Sequence, residues 1–216
     1  MSQPTSRTLP SVFVIGDSIS VQYGPFLSRY LEPFFAYHRK RGAEDALEDL
    51  DLPVGANGGD SSMVLAYLEA NDRHREIPFV DYLLVNCGLH DIKTDPESGT
   101  KQIDIDSYQA NLERIVECSS SLCGEFVWIR TTPCDESVHN KPGMEFHRYR
   151  SDCDAYNTAA DRVMSERGAA SIDLYSFTET LGPELYADHV HFPEHIQQKQ
   201  AAFIAGWLVA HHGAKR

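Results

Sequence analysis

The chain predicts an α/β fold, a three-layer α/β/α sandwich around a central, mainly parallel sheet of about five strands. Three observations carry that expectation. Short apolar runs, typified by Val12-Phe13-Val14-Ile15, alternate along the chain with segments whose apolar residues recur every three or four positions. A length of 216 residues suits one sizeable core. The residues with the most evident chemistry sit directly behind the apolar runs, where an open parallel sheet presents its ligand-binding rim.

Taken in order, strands are predicted at 11–15, 34–38, 80–86, 124–130 and 169–174. The first helix is placed mainly at 25–32, because Gly24-Pro25 interrupts the segment before it. Later helices are read from their stripes: Met63, Val64, Tyr67 and Leu68; Tyr108, Leu112, Ile115 and Val116; Tyr156, Ala159, Ala160, Val163 and Met164; Ile196, Phe203, Trp207 and Leu208. Each is expected to face the core. Residues 39–53 pass from Arg39-Lys40-Arg41 to Glu44, Asp45, Glu48, Asp49 and Asp51, and read as a solvated surface insertion. Residues 133–147 hold Pro133, Pro142 and Gly143 among charged groups and read as a loop after a strand. Residues 1–10 are expected to be an extended or disordered N-terminal segment and 11–213 a single domain without internal repeats.

Composition excludes several classes of partner. A formal charge of −13 repels phosphate backbones and anionic lipid, which argues against nucleic acid and membrane surfaces. No stretch approaches the roughly 20 apolar residues of a membrane span. The N-terminus is polar as far as Thr8 and lacks the apolar segment of a secretory signal, so a cytoplasmic protein is expected. Five cysteines, without a Cys-x-x-Cys pair, suggest neither a disulfide framework nor a zinc knuckle. Cys87 reads as a buried small hydrophobe, whereas Cys134, beside Pro133 in a polar loop, is a candidate for exposure with no base placed to activate it.

Gly16-Asp17-Ser18 follows the first apolar run, and Asp188-His189-Val190-His191 stands near the other end of the chain. A serine hydroxyl needs a neighbouring imidazole to accept its proton, and the imidazole needs a carboxylate to fix its tautomer. Ser18, His191 and Asp188 fit those three roles. Two further segments lie between them, Asn57-Gly58-Gly59-Asp60-Ser61-Ser62 and Asn86-Cys87-Gly88-Leu89-His90-Asp91.

In this order the segments resemble the SGNH (GDSL) hydrolase superfamily, whose four blocks carry a serine, a glycine, an asparagine and a histidine. Ser18 matches the first, Gly59 the second, and Asp188 with His191 the closing Asp-x-x-His. The third block departs from the pattern: the usual Gly-x-Asn-Asp reads Gly88-Leu89-His90-Asp91, with histidine in place of the oxyanion-binding asparagine. Trp128 to Pro133 and Tyr156-Asn157 look like a bacterial subgroup that shares the Gly-Leu-His-Asp variant.

The resemblance implies the flavodoxin-like SGNH hydrolase fold and a serine esterase. It places the oxyanion hole at the N–H groups of Ser18 and Gly59 and the side chain of His90, whose neutral ring has one N–H to donate. Asp17 and Asp91 read as hydrogen-bond acceptors that fix loops, with Asp91, Arg130, Thr132 and Arg148 as candidates for the substrate rim. A polar rim suits a short acyl group, acetyl first, on a small-molecule ester such as an acylated carbohydrate. An acyltransferase with the same triad, or a non-catalytic binding module, are the alternatives, and the oligomeric state is not legible. No cofactor is expected and no metal: Asp188, His189, His191 and His195 crowd together, but without helical His-Glu-x-x-His spacing. His211-His212 reads as a helix end that complements the helix dipole.

Overall fold

In the computed structural model, which describes residues 8–215, five strands form one sheet paired entirely in parallel. They are β1 (Ser11–Ile15), β2 (Ala36–Arg39), β3 (Val80–Val85), β4 (Cys123–Ile129) and β5 (Ala170–Ile172), in spatial order β2-β1-β3-β4-β5. The expected segment 1–10 falls mostly outside the described residues. The central strands carry apolar residues on both faces: Val12, Phe13, Val14 and Ile15 on β1 and Leu83, Leu84 and Val85 on β3 are all buried. Burial on both faces is what a parallel sheet covered by two helical layers requires.

The helices are α1 (Ser18–Leu31), α2 (Ala43–Glu48), α3 (Ser61–His74), α4 (Ile105–Ser119), α5 (Glu136–His139), α6 (Arg150–Arg167), α7 (Leu174–Glu179) and α8 (Glu194–Ala214). One layer packs α1 on α8 and α8 on α7; the other packs α3, α4 and α6 in a row. Aspartate opens most of the crossover helices. Asp17, Asp60, Asp104 and Asp173 each accept a hydrogen bond from a first-turn N–H of α1, α3, α4 and α7. Such caps satisfy backbone donors that have no partner inside the helix. Among the described residues, no helix is long and apolar enough to cross a membrane.

Several boundaries differ from expectation. Helix α1 begins at Ser18, well before 25, and carries Pro25 within it. The Asp17 cap starts the helix early, and Gly24 leaves room for the Arg39 guanidinium where a side chain would stand. Strand β5 stops at Ile172 because Asp173 turns to cap α7. The segment 39–53 contains α2, and Met63, assigned to a core stripe, is 38% exposed. Cys134 is buried beside Cys153, with the two Sγ atoms 3.1 Å apart, so its expected exposure is corrected by the packing of the 133–135 loop on α6. At the other end of the sheet, His211 pairs with Glu125 at 2.7 Å and His212 Nδ1 lies 2.8 Å from the Tyr82 hydroxyl, so these rings dock on strands β4 and β3.

Two loops at the carboxyl ends of the strands are tied together by Asp91. Its carboxyl accepts the Ser61 N–H through both oxygens, at 3.0 and 3.1 Å, and is fully buried. Burial, opposed by these hydrogen bonds, pushes Asp91 up to about 7. The folded protein therefore holds a proton that the unfolded chain releases near its ordinary value of 3.8. This contribution to stability is complete below that value and is lost as pH rises through about 7. The urea midpoint of the wild type should fall more steeply from pH 4 to pH 8 than that of Asp91→Asn, whose neutral amide still accepts from Ser61. Equal slopes would show that Asp91 is ionised throughout. In the core, Leu84→Ala on β3 should cost about 2–5 kcal/mol. In a calorimetric scan that corresponds to a Tm lowered by about 4–20 °C.

Candidate active site

In the order β2-β1-β3 the chain leaves β1 toward one side of the sheet and β3 toward the other, which opens a crevice outside their carboxyl ends. The loop behind β1 is clasped there, with Gly58 N–H donating to Gly16 C=O at 2.8 Å. Asp17 is buried, caps α1 by accepting from Ile19 N–H at 3.0 Å, and has its carboxyl pushed up by burial. Ser18 is thus the first residue of α1, with its backbone N–H at the positive end of the helix.

Across the crevice, His191 Nε2 lies 2.9 Å from Ser18 Oγ, and His191 Nδ1 lies 2.8 Å from Asp188 Oδ2. The other carboxylate oxygen, Asp188 Oδ1, accepts from Val190 N–H at 2.8 Å and His191 N–H at 2.7 Å. Asp188 fixes both the turn and the ring it carries. Although burial works to raise its pKa, the His191 ring and the two N–H donors hold this carboxyl well below the usual carboxylate range. An ionised Asp188 selects the tautomer with the proton on Nδ1, leaving the Nε2 lone pair toward Ser18. Ser18 and His191 are only 5% and 2% exposed.

The other predicted donors are placed differently. Gly59 has a left-handed backbone with φ 72°, and its N–H donates to Asn57 Oδ1 at 3.0 Å. His90 is buried, and its Nδ1 has no partner among the described residues. Burial, reinforced by Lys93 and Arg148, pushes its pKa well below the ordinary value, so the ring is a neutral imidazole. The loop that carries it is held from beneath. Arg148 Nε donates to Leu89 C=O at 2.6 Å, and Arg148 Nη1 donates to His139 Nε2 at 2.7 Å.

The expected rim is revised by these contacts. Asp91 lies sealed under the loop, tied to Ser61. Arg130 turns away to Asp173 at 2.6 Å and Asp161 at 3.1 Å, because these carboxylates lie beside the end of β4. Thr132 and Arg148 are 4% and 2% exposed, so they form the wall behind the crevice and not an open rim. Of the crowded acid and histidines near the C-terminus, His195 is exposed on α8. His189 instead meets Asp51 of the 39–53 segment, with Nε2 and Oδ2 3.2 Å apart. Asp51 carried no sequence signal, since it reads as one surface acid among several. A cleft of about 510 Å³, bordered by Leu52, Pro53, Lys93, Gln102 and Phe146, opens beside the site. The Lys93 ammonium sits 4.3 Å from the centre of the Phe146 ring and is pushed down to about 8 by burial first and Arg148 second.

Residues 14–199 match the GDSL-like Lipase/Acylhydrolase family. Among solved structures, the chain is similar to a lipase/acylhydrolase from Enterococcus faecalis, with a TM-score of 0.68 and 19% identity over 93% of this chain and 95% of that one. A GDSL-like lipase from Bacteroides thetaiotaomicron VPI-5482 gives a TM-score of 0.66 and 13% identity, covering 97% and 92% of the two chains. The acetylxylan esterase Axe2 from Geobacillus stearothermophilus gives 0.64 and 18%, covering 91% and 93%. At these identities the structural likeness is one of fold. No curated protein matches the chain in sequence. Five parallel strands with helices on both faces accompany a family match that spans most of the chain, and the protein belongs to the GDSL-like lipase/acylhydrolase family of ester hydrolases.

Proposed function

We propose that this protein is a serine esterase that removes a short acyl group, acetyl first, from a hydroxyl-rich alcohol such as a carbohydrate, with Ser18 as nucleophile, His191 as general base and Asp188 as its orienting carboxylate. The observation that carries the reading is the continuous path Ser18 Oγ, His191 Nε2, His191 Nδ1 and Asp188 Oδ2, with links of 2.9 and 2.8 Å. Attack of Ser18 Oγ on the ester carbonyl forms the C–O bond as the hydroxyl proton passes to His191 Nε2. Collapse of the tetrahedral intermediate expels the alcohol, which takes that proton from His191. Water then repeats the sequence on the acyl-serine and releases the acid.

Negative charge on the carbonyl oxygen is met by donors in the same crevice. The Ser18 N–H stands at the start of α1, and His90 Nδ1 has no partner among the described residues, so both can serve. The Gly59 N–H, already bonded to Asn57 Oδ1, contributes as a shared donor. The near-closure of Ser18 supports a short acyl group, and the adjoining cleft, with Phe146 as an apolar platform and Lys93 and Gln102 as polar groups, supports a sugar-like alcohol. The fold likeness to an acetylxylan esterase points the same way.

Ser18→Ala should abolish hydrolysis of p-nitrophenyl acetate and labelling by a fluorophosphonate probe while leaving Tm nearly unchanged. Full activity in the purified variant would end the proposal. His191→Ala should be about as damaging, because triad members act as a unit. His90→Ala should lower kcat by about a hundredfold to a thousandfold with little change in KM, and His90→Asn should recover part of the loss. A kinetically silent His90→Ala would leave the oxyanion to backbone donors. Across p-nitrophenyl esters of graded length, kcat/KM should be highest for acetate, and acetylated xylo-oligosaccharides should release acetate. A preference for octanoate would overturn the acyl assignment.

A further inference from the structure

His191 belongs to a second constellation that ester hydrolysis does not use. Asp51, His189 and His191 each offer one donor atom, and these atoms all lie within 4.8 Å of one another. Two are already close, with Asp51 Oδ2 and His189 Nε2 3.2 Å apart. Around a tetrahedral zinc ion with bonds near 2.1 Å, neighbouring ligand atoms stand about 3.4 Å apart, so a set already within 4.8 Å needs to close by no more than about 1.4 Å. The His189 and His191 rings are edge-to-face with centres 5.7 Å apart, which keeps both imidazoles at one opening.

The donor chemistry selects the ion. Two imidazoles and one carboxylate suit zinc and its borderline neighbours, whereas magnesium and calcium prefer all-oxygen shells. Because His191 Nδ1 is engaged by Asp188, Nε2 is the atom left to bind. That leaves a carboxylate behind a ligating imidazole, an arrangement that fixes the ring and raises its basicity toward a metal. The fourth position falls to water or to Ser18 Oγ, 2.9 Å from Nε2. A metal on Nε2 occupies the lone pair that accepts the Ser18 proton.

We propose that Asp51, His189 and His191 form an inhibitory site for a zinc-class divalent ion, which silences the esterase by occupying its general base. The inhibitory consequence rests on the triad reading given above; the binding site itself does not. The test therefore has two arms. In the first, isothermal titration of zinc chloride into chelator-treated wild type and Ser18→Ala should show one equivalent bound by each. Asp51→Asn and His189→Gln should weaken that binding by about tenfold or more, and His191→Ala should weaken it at least as much. In the second, zinc should inhibit p-nitrophenyl acetate hydrolysis reversibly, with full recovery on adding chelator and no effect of millimolar magnesium. Asp51→Asn and His189→Gln, checked for folding by circular dichroism, should keep metal-free activity within about twofold and require about tenfold more zinc for half-inhibition.

Wild type that binds no zinc at 100 µM would overturn the proposal, as would equal zinc affinity in wild type and both variants. Equal zinc inhibition in wild type and both variants would overturn it too. If Ser18→Ala keeps full hydrolytic activity, the triad reading fails while the titration still decides whether the site exists.

Discussion

Strand β1 is hydrogen-bonded on both sides, to β2 in the register Val12 with Tyr37 and to β3 in the register Val12 with Tyr82, and that double pairing fixes where the chain emerges from the sheet. A strand held from both edges has no freedom to slip, since a shift of one residue would break both ladders and push every side chain into the space packed for its neighbour on the opposite face. Ser18 therefore stands at a point set by backbone pairing far beneath it. The loop behind β3 emerges from the adjacent strand and brings His90 to the same rim. The return of the chain before α8 adds His191, which meets Ser18 across 173 residues of sequence. The crevice is a consequence of topology first and of side-chain chemistry second.

Much of this was legible in the residues because it follows from local rules. Strands such as Val80–Val85 are mostly apolar, with Asp81 the one exposed position, and stop at a polar residue, Asn86, so their position shows without any knowledge of partners. Asp188 and His191 were readable as a pair because three positions of separation on one turn suffice for a carboxylate to meet the ring. The start of α1 was not, because Pro25 outweighs a distant cap in a local reading, whereas the folded chain accommodates the proline inside a helix packed on α8. Arg130, Arg148 and Asp51 were equally unreadable. Each takes its meaning from partners remote in sequence: Asp173, Leu89 and His189.

The charge of the chain and the charge of the site also differ. The whole sequence carries −13, yet Lys93 and Arg148, to neither of which a carboxylate is bonded among the described residues, act on His90 as nearby cations. Burial first, and these two cations after it, keep His90 neutral, and a neutral imidazole presents a single N–H whose direction is set by its tautomer. Composition governs what the outer surface repels, whereas the crevice follows a handful of buried groups.

Arg148 shows how misleading a loss of activity is as a guide to contact. Its guanidinium satisfies the carbonyl of Leu89, immediately before His90, and a ring nitrogen of His139, and both acceptors would be stranded in the interior if it were removed. Leaving buried acceptors unpaired costs about 1–3 kcal/mol each. The loop that presents His90 would shift to recover those bonds from water. An alanine scan would then rank Arg148 beside the triad although it is a keystone of the scaffold, and only the separate behaviour of loop geometry and ligand affinity would tell the two roles apart.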